Sequence, residues 1–145
     1  HRVIMRDINL LLYAEIDAYP QHEAARGWWE DALSGDVRVA LPSITIFGFL
    51  RIATSRRIFE EPLALSDALA RVDAWLERSN VMFLGPGPRH LETAFQLLRQ
   101  LGTGGNLTTD VQLAAHAIDN QAELCSNDLD FVRFAGLRWT NPLAA

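Results

Sequence analysis

The chain contains no lysine: all thirteen of its basic residues are arginine. That absence removes the phosphate-gripping lysine of nucleotide-binding loops and every form of Schiff-base chemistry. Receiver domains and haloacid-dehalogenase phosphatases also need a lysine, and they fall with it. Cysteine is nearly absent too. Cys125 stands alone, so there is no disulfide framework and no cysteine metal cluster. No apolar run approaches the length of a membrane span. The opening residues lack the apolar core and small-residue cleavage site of a secretory leader. The sequence therefore reads as cytoplasmic, with no membrane association. Positive charge is in short supply as well. A net charge of −5 argues against gripping nucleic acid through a broad basic face. It leaves room for an enzyme that meets phosphate through cations.

What is present is a core. Of 145 residues, 49% are hydrophobic, which suits one folded domain spanning residues 1–145. Short apolar stretches alternate with helical periodicity. Strands are expected at Val3 to Arg6, Val37 to Leu41, Val81 to Leu84, Glu123 to Ser126 and Leu137 to Thr140. Helices are expected at Asn9 to Glu15, Gln21 to Leu33, Ile44 to Thr54, from a cap at Ser66, after Pro88, and from Thr109 to Asn120. The almost wholly apolar helix after Pro42 is expected to be buried. Strands alternating with helices imply an α/β fold, a three-layer α/β/α sandwich on a parallel sheet of about five strands. Right-handed crossovers then bring every strand-to-helix junction to one edge.

That edge is where open parallel sheets bind ligands. Asp7 ends the first strand, Asp128 follows the fourth, and Asp110 opens the helix before it. Each has a plain explanation as a helix-start or turn acid. Together they suit a cation, because crowded carboxylates repel one another unless positive charge intervenes. Magnesium prefers such oxygen ligands and keeps room for substrate phosphate. A site of this kind hydrolyses phosphodiesters.

The residues also resemble a family. Asp7-Ile8-Asn9-Leu10-Leu11 is similar to the opening motif of PIN-domain nucleases. Gly105-Asn106-Leu107-Thr108-Thr109-Asp110 resembles their central acidic segment, and Ser126-Asn127-Asp128-Leu129-Asp130-Phe131 their closing one. Gly48 to Thr54, Gly87 to Leu91 and Phe134 to Trp139 resemble one branch of the VapC-type toxins. The resemblance implies an endoribonuclease dependent on Mg2+ or Mn2+, acting on RNA as the toxin of a toxin–antitoxin pair. It implies a VapB-type antitoxin and a homodimer. Asp7, Asp110 and Asp128 map onto the catalytic and metal-holding acids, with Asn9, Ser126 and Asp130 in support. The family's usual glutamate on the helix after the second strand is replaced by Gly48, so one metal is expected to be held firmly and a second is not secured.

Other features carry two readings each. Arg51, with Arg56 and Arg57, lies at a helix end, where arginine suits either the dipole or a substrate phosphate. Trp28 and Trp29 are adjacent on a helix and are not expected to face one core together, so one of them stands either at a subunit or antitoxin interface or as a partly exposed core residue. His22, His90 and His116 lack metal-ligand spacing and read as structural or surface residues. Cys125 is expected to be buried and inert. Two rivals remain: a metal phosphohydrolase with another substrate, and a non-catalytic binding module on the same fold.

Overall fold

The computed structural model describes residues 2–144. Its elements run β1 (Val3–Arg6), α1 (Ile8–Glu15), α2 (His22–Ser34), β2 (Arg38–Pro42), α3 (Ser43–Ala53), α4 (Leu65–Leu76), β3 (Val81–Leu84), α5 (His90–Leu101), α6 (Thr108–Asp119), β4 (Glu123–Cys125) and β5 (Arg138–Thr140). Single turns of 3-10 helix, Gly105–Leu107 and Leu129–Arg133, precede α6 and follow β4. The five strands form one sheet in the order β3-β2-β1-β4-β5, and every pairing is parallel. The expected α/β/α architecture is present, with element ends within about two residues of the sequence reading.

Strand alternation divides the core in two. Ile4, Val39 and Leu41 face one way, into a cluster with Leu11, Phe49 and Trp75 from α1, α3 and α4. Met5, Ala40 and Leu124 face the other way, against Val111 and Leu97 of α6 and α5. A period of two within each strand is what sends neighbours to opposite layers. Both faces of the sheet are covered, which is why its central strands are nearly free of polar residues.

Local details depart from the sequence reading in three places. Ser66 caps nothing: α4 starts one residue earlier, and its N-cap is Ala64. The α3 helix is not buried all round, because Phe47 is 68% exposed on its outer face. Trp28 and Trp29 do share a core. Trp29 is buried edge-to-face against Trp75 at 5.8 Å between ring centroids, and Trp28 packs at the border of the same cluster. Adjacent positions on a helix point about 100° apart. Both rings nevertheless serve one charge, because the Arg6 guanidinium lies over each, at 4.2 Å from the Trp28 centroid and 4.0 Å from that of Trp29.

Glycine is needed on α3. A β-carbon at Gly48 would stand 2.3 Å from Ile8 Cδ1 and 2.9 Å from Ile8 Cγ1. Gly27 in α2 has nothing within 4 Å of that position. The two helical glycines should respond oppositely to alanine. Gly27→Ala should raise unfolding free energy by roughly 0.5–1 kcal/mol through lost unfolded-state entropy. Gly48→Ala should lower it by about 1–2 kcal/mol, the overpacking cost exceeding the helix gain. Urea melts measure both. Adding Ile8→Ala to Gly48→Ala should leave a smaller loss than the two single losses combined, and strict additivity would sink the Ile8 account.

Candidate active site

The site is assembled where β1 and β4 end side by side. Asp7 follows β1, and its amide donates to the Cys125 carbonyl at 3.0 Å, extending the pairing one residue past the strands. Ser126 then follows β4 directly opposite. Its hydroxyl donates to Asp7 Oδ2 at 2.8 Å and accepts from the Asp128 amide at 2.9 Å. Asp128 turns the chain, its Oδ1 accepting from the Asp130 amide at 2.9 Å as the cap of the 3-10 turn. Asp128 thus caps the 3-10 turn and at the same time stands among the other acids. Asp110 enters from the first turn of α6, where the helix dipole favours an acid.

Asp110, Asp128 and Asp130 each offer an oxygen, and the three oxygens lie within 4.8 Å of one another. Asp7 lies deeper, 6% exposed, linked to the group through Ser126. Asp130, which the sequence placed only in support, is thus a full member of the cluster. It also approaches Arg133 at 4.0 Å. Asn9 is half-buried in the first turn of α1, one residue beyond Ile8. Arg51 is not brought to this cluster. It is exposed in the last turn of α3, eight residues and about 12 Å along the helix from its start at the strand edge.

Electrostatics marks the cluster as strained in the absence of a cation. Burial, and then the charges of Asp7, Asp128 and Asp130, push the Asp110 carboxyl up from 3.8 to about 7. Burial also raises Asp7, against which the Ser126 hydroxyl and the amides of Ile8 and Asn9 pull. A set of oxygen-only donors that holds a proton this tightly fits a hard divalent cation, whose charge would replace the proton. Among the described residues beside the cluster, neither the thiol of Cys125 nor the hydroxyl of Ser126 is poised to attack. The Cys125 thiol is buried and pushed up to about 12, and the Ser126 hydroxyl is committed to Asp7.

Arg6 is the residue that sequence reasoning passed over. It precedes Asp7, is fully buried, and none of its three guanidinium nitrogens has a hydrogen-bond partner. Burial pulls it down to about 9, so it stays charged at neutral pH. A signal was available: Arg6 shares its strand face with Ile4, so alternation sends it into the layer where α2 carries two tryptophans.

The shift of Asp110 fixes a pH dependence. A carboxyl that keeps its proton to about 7 when folded, but to 3.8 when unfolded, makes the cation-free chain less stable as pH rises between those values. Magnesium competes with that proton, so its stabilising effect should grow over the same window. Melting temperatures in EDTA and in magnesium, at about pH 5 and about pH 8, measure this. Asp110→Asn should flatten both trends; equal slopes in parent and variant would overturn the assignment.

With this geometry in place, comparison with known proteins is direct. The PIN domain family model matches residues 4–137. Ribonuclease VapC33 of Mycobacterium tuberculosis is 54% identical over 141 residues, covering 97% of this chain and 99% of the relative. Ribonuclease VapC37 of the same organism is 37% identical, covering 95% and 96%. Among solved structures, VapBC2 from Rickettsia felis bound to a promoter DNA fragment superposes with a TM-score of 0.70 at 21% identity, covering 96% of this chain and 98% of that one. VapC20 of Mycobacterium tuberculosis, described as a Sarcin-Ricin loop cleaving toxin, gives 0.68 at 16% identity, covering 93% and 98%. The match across nearly the whole sequence, on a fold that gathers its acids at the ends of β1 and β4, places this chain in the PIN-domain family, within its VapC branch.

Proposed function

We propose that the chain is a metal-dependent endoribonuclease, the toxin of a toxin–antitoxin pair, with Mg2+ or Mn2+ as its ion. The observation that carries this reading is the cluster of Asp110, Asp128 and Asp130 beside Asp7 at the C-terminal edge of the sheet. Relatives named ribonucleases support the RNA substrate. A VapBC complex among the structural neighbours supports a VapB-type antitoxin as partner. A homodimer and a cytoplasmic setting belong to the same reading. Among the described residues no helix is long and apolar enough to cross a membrane.

Asp110, Asp128 and Asp130 would hold the cation, with Asp7 behind them. When bound, it supplies positive charge to the phosphodiester and makes water easier to deprotonate. The chain's own part is positional. Ser126 ties Asp7 to the Asp128 turn, so the acids from β1 and β4 keep a fixed separation. Asp110 delivers the fourth carboxylate from a different element, α6. No covalent intermediate is expected, because neither Cys125 nor Ser126 is free to attack.

Gly48 favours one alternative: a binding module that has lost catalysis along with the usual acid. Cleavage assays decide between them. Asp110→Asn and EDTA should each reduce RNA cleavage by roughly a hundredfold or more, the scale of a metal's charge stabilisation. If the parent cuts RNA as well in EDTA, or if the variant matches the parent, the site is wrongly assigned. An inactive parent that still binds its antitoxin would favour the module.

A further inference from the structure

A polyanionic substrate brought up to four carboxylates needs positive charge beside them. In a chain without lysine, arginine must supply the protein's share. Arg51, the candidate named by the sequence, is not brought to the acids. Arg6 stands behind them but is fully buried under two indoles, out of a substrate's reach. Arg2 and Arg138 are engaged by Glu123 and by the Gln121 carbonyl, where β4 begins and so at the opposite end of the sheet. Among the described residues, one basic side chain pairs with a member of the acid group: Arg133 Nη2 lies 4.0 Å from Asp130 Oδ1.

Local structure fixes where that guanidinium starts from. Asp128 caps the 3-10 turn Leu129–Arg133 at its beginning. Phe131 within the turn and Phe134 just after it are both buried, and their rings meet edge-to-face at 5.8 Å. The two phenyl groups pin the turn to the layer of Leu97 and Val111. The backbone at 133 is therefore held, while the Arg133 side chain is 58% exposed. Its contact with Asp130 commits it to nothing. The distance is too long for a hydrogen bond. Three-residue spacing on a helical turn brings the pair close whatever its purpose, and an exposed pair of this kind adds little to folding. Asp130 itself offers an oxygen within 4.8 Å of those of Asp110 and Asp128.

We propose that Arg133 is a substrate-binding residue, its guanidinium gripping a backbone phosphate of RNA seated at the acids, on the side of Asp130. The proposal rests on the endoribonuclease reading and names the protein group that meets the phosphate charge. The guanidinium fork matches two phosphate oxygens, a stronger partnership than the long contact it would leave. Its pinned turn and mobile stem let it follow the backbone without disturbing the acids. One well-placed cation at the border of the cluster also reconciles a net charge of −5 with a polyanionic substrate, because the field that matters is local.

The test separates binding from cleavage. In an Asp110→Asn background, fluorescence anisotropy of a labelled short single-stranded RNA reads affinity without turnover. Adding Arg133→Gln should weaken binding about tenfold, alike for RNAs of different sequence. It should also reduce the slope of log affinity against log salt by about 0.7, one phosphate's worth on a single strand. Arg133→Lys should restore the slope and only part of the affinity. With Asp110 intact, Arg133→Gln should raise KM about tenfold and change kcat less. Both variants should keep the parent's melting temperature, since the side chain is exposed. Unchanged affinity and slope would overturn the proposal. So would a loss that vanishes when Asp130 is already Asn, because Arg133 would then act only through its neighbour. Faster cleavage at a lower magnesium requirement, with RNA affinity unchanged, would make Arg133 a competitor of the cation and also overturn it. A parent that cuts no RNA in magnesium or manganese would instead remove the endoribonuclease reading, and this role with it.

Discussion

Mutual repulsion among carboxylates is the constraint around which this structure is arranged. Four acids, from the ends of β1 and β4, from α6 and from a 3-10 turn, converge where solvent is limited. One hydroxyl ties the acids at the β1 and β4 exits to each other there. Ser126 donates to Asp7 and accepts from the Asp128 amide, so a single side chain fixes the spacing of two acids on neighbouring strands. The backbone bond from Asp7 to Cys125 makes that arrangement part of the sheet. Asp7 is thus anchored to the buried central strands, while Asp110 and Asp130 reach the group from α6 and the 3-10 turn.

A second buried charge sits directly behind. Arg6 has its guanidinium between two indoles and no hydrogen bond to any of its nitrogens. Cation–π attraction in a desolvated setting is worth about 2 kcal/mol. Glu15 and Asp7 add long-range attraction to that. Glu15 is itself held by Arg71 at 2.6 Å and by the Trp75 indole at 3.2 Å. Alternating charges and aromatic rings therefore run from the active edge into the α1–α4 layer, and α2 and α4 are drawn into supporting the strand that carries Asp7.

Much of this was legible in the sequence. The alternation of apolar strands and amphipathic helices was enough for the sheet, and chain order placed Asp7, Asp110 and Asp128 on one edge. What escaped had tertiary causes. Ser66 looked like a cap, but helix starts are set by packing as much as by capping chemistry, and Ala64 takes that position. Phe47 looked buried because its helix is apolar, although the second layer is complete without it. The membership of Asp130 depends on how tightly a five-residue 3-10 turn closes, which spacing alone does not determine. Trp28 and Trp29 seemed incompatible because helix geometry ignores a third partner, and Arg6 is that partner.

The contact between Gly48 and Ile8 bears on how such a site can change over time. Acid could be restored to α3 by a single codon change, yet even the first side-chain carbon at position 48 collides with Ile8, the residue next to Asp7. Ile8 would have to yield before a carboxylate became tolerable. A smaller residue at position 8 would open a gap beside Asp7 and weaken the core. Whether α3 can carry an acid is thus tied to how far one neighbouring methyl group, the Ile8 δ-carbon, can swing aside.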